Sequence, residues 1–233
     1  MITCSVCGAT NKELATRCAS CGGTLQDRAK TLNLFSTLYG IWRFPDYTIR
    51  KILLAEHKNY VFILAAFEGV FLGYLFLFFV KAGDTYSIEL PRLILSGFVA
   101  GILLFLPMLY LSAILSYLLL RVYRTGVTAR GFIAGMIYSL HPLALSMVVI
   151  LPMEIAVYGP YLFSNNPPPW IINPPPFYLF VILELIAVLA AINFVVHLVR
   201  LLFTRRIITV AVVGLILIAF SVLTDAAKSL LVK

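Results

Sequence analysis

The chain has 233 residues, of which 61% are hydrophobic and 12% charged, with a formal net charge of +8. A soluble domain carries about 25% charged residues, so this composition excludes an ordinary water-soluble globule and predicts a multi-span membrane protein. The surplus of Lys and Arg is read as marking cytoplasmic loops, and no nucleic-acid partner is expected.

Residues 1–25, MITCSVCGATNKELATRCASCGGTL, hold all four cysteines, Cys4, Cys7, Cys18 and Cys21, as two C-x2-C-G units. Two thiolates two residues apart can share one tetrahedral metal, and Gly8 and Gly22 supply the permissive backbone after each pair. The pattern predicts a Cys4 zinc ribbon with a structural Zn2+, closed by four thiolates and without a position for substrate. Disulfides are one competing reading and do not suit the cytoplasmic placement argued below, and a redox C-x-x-C, the other, lacks the βαβ setting it needs. So short a segment cannot bury a core sufficient to fold alone, so metal binding supplies its folding energy, on the order of 10 kcal/mol or more. The opening residues lack a basic n-region and an apolar h-region, so no cleavable signal peptide is expected.

Residues 26–59 form a cytoplasmic linker or interfacial segment. Leu32, Leu34, Phe35, Leu38, Tyr39, Ile41 and Trp42 could line one side of an interfacial helix, with Arg43, Arg50, Lys51 and Lys58 near anionic head groups; a linker packed on the bundle is the alternative. Pro45 ends one helix, and Asp46 to Leu54 starts another.

Residues 60–233 read as a five-span membrane domain. The first span, Tyr60 to Val80, contains one ionisable group, Glu68, and matches the twenty or so apolar residues that a core of about 30 Å requires. Further spans are expected at Leu93–Leu120, Phe132–Val157, Phe177–Val199 and Ile207–Leu223. Fourteen Lys and Arg fall on the side of the N-terminus and four on the other. This places the N-terminus and zinc head in the cytoplasm and the C-terminus outside. The outer loop, YGPYLFSNNPPPWIINPPPFY, predicts a stiff polyproline II connector, with Trp170, Phe177 and Tyr178 in the aromatic belt; a ligand platform is the rival reading.

Three glycine pairs at GxxxG spacing, Gly69 with Gly73, Gly97 with Gly101 and Gly131 with Gly135, predict close packing of the first three spans. Pro107, Pro142 and Pro152 should kink or loosen the second and third. Glu68, Glu184, His141, His197 and Asn193 form a candidate intramembrane polar site. One reading is an ion or proton path through Glu68 and Glu184; the other is a set of structural groups sharing hydrogen bonds with Asn193, serines or backbone. Glu154 lies near the outer boundary and can reach water. His141 and His197 lack any further haem signal. No HExxH, GxSxG or P-loop occurs, and no enzymatic activity is expected.

From Tyr39 onward the chain resembles the Yip family of five-span membrane proteins, named for interaction with Ypt/Rab GTPases. The resemblance rests on the basic head, the Pro-x-x-Thr-Ile entry at Pro45, Thr48 and Ile49, five closely spaced spans and the proline-bearing third span YSLHPLALSMVVILP. Of the eukaryotic DLYGP sequence, Leu38, Tyr39 and Gly40 match, while Thr37 and Ile41 replace the acid and the proline. The chain is therefore more similar to prokaryotic members, for which no Rab partner exists. The fold expected is an all-α membrane protein, a bundle of five transmembrane helices with a small N-terminal zinc-ribbon head. Its expected role is a non-enzymatic scaffold or adaptor whose partners are the lipid bilayer, a cytoplasmic protein and, as an open case, a second copy of the chain. A small-solute or ion transporter using the intramembrane acids is the alternative.

Overall fold

A computed structural model describes residues 1–12, 15–25, 31–85, 89–121 and 127–202. The expected fifth span, Ile207–Leu223, lies outside the described residues. Within them are four helical stretches long and apolar enough to cross a membrane, Val61–Val80, Leu90–Leu115, His141–Phe163 and Pro174–Leu202.

The head is a short antiparallel pair, β1 (Ile2–Thr3) with β2 (Thr10–Asn11). A second hairpin is closed by a bridge between Arg17 and Thr24. One pair of the first hairpin recurs fourteen residues later, Thr3 and Thr10 becoming Arg17 and Thr24.

Helix α1 (Leu34–Arg43) starts where the Asn33 side chain accepts the Ser36 N–H, and α2 (Pro45–Leu54) follows with Pro45 in its first turn, where a missing N–H costs nothing. The apolar set expected to share one side of α1 divides between two. Leu32, Thr37 and Ile41 are buried, whereas Phe35 and Tyr39 are exposed. Lys58 closes the far end of α2, its ammonium donating to the carbonyls of Ile52 and Leu53.

The membrane region begins with α3 (Val61–Val80), followed by the short α4 (Ala82–Thr85). The second stretch runs through α5 (Leu90–Ala100), a π turn at Gly101–Phe105 and α6 (Leu106–Arg121). In the π turn Leu106 N–H donates to Gly101 O, five residues back. The same arrangement recurs at Ser146–Ile150, where Leu151 N–H donates to Ser146 O. Each π turn ends two residues before a proline, Pro107 or Pro152. Proline has no N–H and its ring clashes with the carbonyl four residues back, and the wider turn relieves that clash.

The third stretch departs from the expected single span Phe132–Val157. Helix α7 (Ala129–Ser139) stops at Leu140, whose ψ is 0°, and α8 (His141–Leu145) restarts with Pro142 in its first turn. The π turn and α9 (Leu151–Tyr158) continue it. The residue before His141-Pro142 carries the break because the proline ring disfavours a helical continuation.

The polyproline II conformation expected in the outer loop is kept at Pro168, with φ of −77° and ψ of 155°, but the prolines that follow it are helical. Pro169 opens a short helix, α10 (Pro169–Ile172), and Pro174 opens α11 (Pro174–Leu202), which includes Pro175 and Pro176 in its first turn. The first N–H groups of a helix have no intrahelical acceptor, so three prolines are tolerated there.

Two of the glycine pairs face each other. A methyl group placed on Gly73 would lie 2.6 Å from Gly101 N, and one on Gly69 would lie 2.9 Å from Gly101 O. Helix α3 and the α5–π segment therefore touch backbone to backbone, the close approach that only glycine allows. The third pair serves a different contact. Gly131 and Gly135 seat α7 against Leu53 of α2 and Leu198 of α11. Outward from these seams stand large apolar side chains, among them Leu95, Leu103, Leu111, Ile182, Leu185 and Leu189. So much apolar surface in water marks a binding or membrane-facing surface, and together with the four apolar helices it points to an integral membrane protein.

Candidate metal centre

The two C-x-x-C-G turns have one geometry. In the first, Gly8 N–H donates to Cys4 O at 2.9 Å and Cys4 N–H to Ala9 O at 2.9 Å. In the second, Gly22 N–H donates to Cys18 O at 3.0 Å and Cys18 N–H to Gly23 O at 2.8 Å. Gly8 and Gly22 have φ of 72° and 70°, in the left-handed region that a side chain would strain, as the sequence led us to expect.

The turns bring all four sulfurs together. Cys4 Sγ lies 3.7 Å from Cys21 Sγ and Cys7 Sγ 3.5 Å from Cys18 Sγ, and all four lie within 4.8 Å of one another. A disulfide needs about 2.05 Å, so these are free thiols. Four sulfurs held tetrahedrally at about 2.3 Å from one ion would sit about 3.8 Å apart, which the observed spacing matches. Among the described residues this is the one group of three or more His, Cys, Asp and Glu ligand atoms close enough to hold an ion.

The surroundings favour negative sulfur. Backbone N–H groups of Cys7 and Val6 hold the Cys4 thiol below its ordinary range. Cys18 is brought down to about 6 by the Cys21 N–H and then by the Asn11 side chain, whose Nδ2 lies 3.4 Å from Cys18 Sγ. Cys7 accepts the Ala9 N–H, which lowers it, yet the neighbouring sulfurs of Cys21 and Cys18 push it up to about 12. Thiolates so close repel one another, and a cation at their centre removes that repulsion. Asn11 is itself fixed, donating to Ala9 O at 2.8 Å and accepting Ala19 N–H at 2.9 Å, so one buried side chain ties both turns together. The sequence reading missed Asn11; its signal was a polar residue placed between two cysteine pairs.

The intramembrane candidates occupy separate places. Glu68 is fully buried in α3, and among the described residues neither of its oxygens has a hydrogen-bond partner. His141 is also fully buried. Its Nδ1 donates to Tyr138 O at 2.8 Å, Nε2 is unpaired, and the ring stacks on Phe194 at 5.5 Å with Trp42 edge-on at 5.9 Å. Glu184 is half-buried on α11, within electrostatic reach of Glu154. His197 meets Asp46, and Asn193 is exposed. The hydrogen bonds with Asn193, serines or backbone that one reading expected are thus not seen for Glu68 among the described residues, whereas His141 makes one to backbone. Comparison of the chain with protein-family models, with curated proteins and with solved structures finds no match.

Proposed function

We propose that this protein is a non-enzymatic membrane scaffold or adaptor of the Yip type, with a cytoplasmic head that holds a structural Zn2+ and presents a surface to a protein partner. The observation that supports it best is the closed set of four sulfurs. Tetrahedral sulfur ligation suits zinc, and four thiolates leave no position at which a substrate could bind the metal. What such a site supplies is folding energy for a segment too short to hold itself together, and hence a rigid surface.

On this reading the membrane domain has five spans, with Ile207–Leu223 as the fifth. The N-terminus lies in the cytoplasm of a bacterial cell and the C-terminus outside. The distribution of Lys and Arg supports that orientation, and a reducing cytoplasm keeps the four thiols available for metal. The exposed aromatic residues Phe35, Tyr39 and Tyr47 on α1 and α2, beside Arg43 and Lys51, suit the cytoplasmic head-group layer.

The metal reading is tested by the metal content of the full chain purified from membranes. One zinc per chain, lost in Cys4→Ser/Cys7→Ser while the protein stays in the membrane, is expected. A metal-free wild-type chain that still binds its partners would overturn it.

A further inference from the structure

Glu68 is the eighth of the twenty residues of α3, about 10 Å along the helix from its start. Its side chain is 0% exposed, and neither carboxyl oxygen meets a donor among the described residues. A bare carboxylate in such a place is far more costly than an unpaired neutral group.

The next residue lies against the backbone of the π turn. Gly69, the next residue, packs on both ends of the π turn, since a methyl on it would lie 2.9 Å from Gly101 O and 3.1 Å from Leu106 N. Leu106 N–H is already committed to Gly101 O. Pro107 has no N–H, so the hydrogen-bond series breaks just past that point and the carbonyl that residue 107 would serve gets no donor from it. Tyr110, one turn beyond Leu106, lies within electrostatic reach of Glu68 and can accept as well as donate. A fully buried carboxyl group with no donor fixed on it among the described residues is a site for a cation. A metal ion of the hard type needs about six oxygen ligands, whereas a proton needs only the carboxylate and one acceptor.

We propose that Glu68 is a proton-binding site inside the membrane domain. With its proton bound, the carboxyl is neutral and no charge is buried beside the seam between α3 and the π turn. Without it, a charge stands beside the glycine contact of Gly69 and Gly73 with Gly101, and the two helices cannot stay as close. Proton occupancy is thereby coupled to the packing of the first two spans. The site is independent of the metal-binding head.

The test uses the full chain in liposomes and dicyclohexylcarbodiimide, an apolar reagent that forms a stable adduct with a protonated carboxyl group in apolar surroundings. Mapping by mass spectrometry is expected to find the adduct on Glu68 at neutral pH, formed faster as pH falls, and absent in Glu68→Gln. A second measurement does not depend on that variant folding. In Glu154→Gln/Glu184→Gln protein, the infrared stretch of a free-acid carbonyl at neutral pH should persist with the intensity of one carboxyl group. An unlabelled Glu68, or loss of that band, overturns the proposal.

Discussion

Asp46 Oδ1 accepts a hydrogen bond from His197 Nδ1 at 2.8 Å, joining the first turn of α2 to α11 across 151 residues of sequence. The contact places His197 beside a largely exposed carboxylate, at the edge of the bundle and not among buried acids. It also fixes α2, which carries no membrane span of its own, to the last described helix. A pair this exposed contributes about 0.5 kcal/mol. Asp46→Ala and His197→Ala should therefore show a coupling of that size in a double-mutant cycle read by unfolding in detergent. Strictly additive effects would mean that the pair carries no stability.

The glycine seams differ in what a methyl group would meet, and this orders their sensitivity. At Gly73 and Gly101 it meets backbone, including Gly101 N at 2.6 Å and Val70 N at 2.8 Å, which cannot yield without moving a helix. At Gly135 it meets the ends of the Leu198 and Leu53 side chains, at 3.0 Å and 3.3 Å, which can turn aside. Gly73→Ala and Gly101→Ala should each cost on the order of 2 kcal/mol, and Gly135→Ala less than about 1 kcal/mol. Melting of the three variants in one detergent checks the order; equal losses would show that the seams are equally yielding.

On the other side of the bundle Asp84 links α4 to the loop after α9. Its carboxylate accepts the Ser164 hydroxyl, and Asn165 N–H at 2.9 Å from Oδ2. The Ser164 bond is the main reason that its carboxyl is held below the ordinary range, and the Asn165 and Asn166 N–H groups add to it. Because the folded group binds its proton less readily than the unfolded one, its contribution is complete above the unfolded value of about 3.9. It is lost only as pH falls below that and through the folded value. Amide exchange of Ser164–Asn166 should accordingly stay slow at neutral pH and rise in strong acid. Asp84→Asn should remove that acid dependence and weaken the link at neutral pH by on the order of 1 kcal/mol.

Metal removal should act on the head alone. A chelator that strips the ion leaves two short hairpins without a core, and their circular dichroism and protease resistance should collapse while the helical signal of the membrane domain persists. Asn11→Ala should leave the four thiols in place yet lower metal affinity by about tenfold, since it removes a donor to Cys18 Sγ and the tie between the two turns. Affinity equal to the wild type would show that the tie is dispensable.

The cluster of four cysteines was readable from the sequence because two short motifs at fixed spacing set its geometry. Two C-x-x-C-G units specify both turns without knowledge of the rest. The first span was equally plain, Tyr60–Val80 expected against Val61–Val80 found. Helix partners were not readable. GxxxG spacing states that a face is smooth but not which helix lies on it, and Gly131 and Gly135 proved to face α2 and α11. Prolines at 107, 142 and 152 marked irregular places, but whether a turn widens, as before Pro107, or stops, as at Leu140, depends on the neighbours that must fit. His197 could not be assigned to Asp46 by any local pattern, because the two meet only through the fold.

The central claim is that the metal-closed head recruits a partner. Its most direct test is a crosslinked pull-down from native membranes, with wild type and Cys4→Ser/Cys7→Ser at matched expression and partners identified by mass spectrometry. The account predicts at least one specific partner with the wild type that is lost when the sulfur site is broken. The same partners in both samples, or none specific to either, would contradict it.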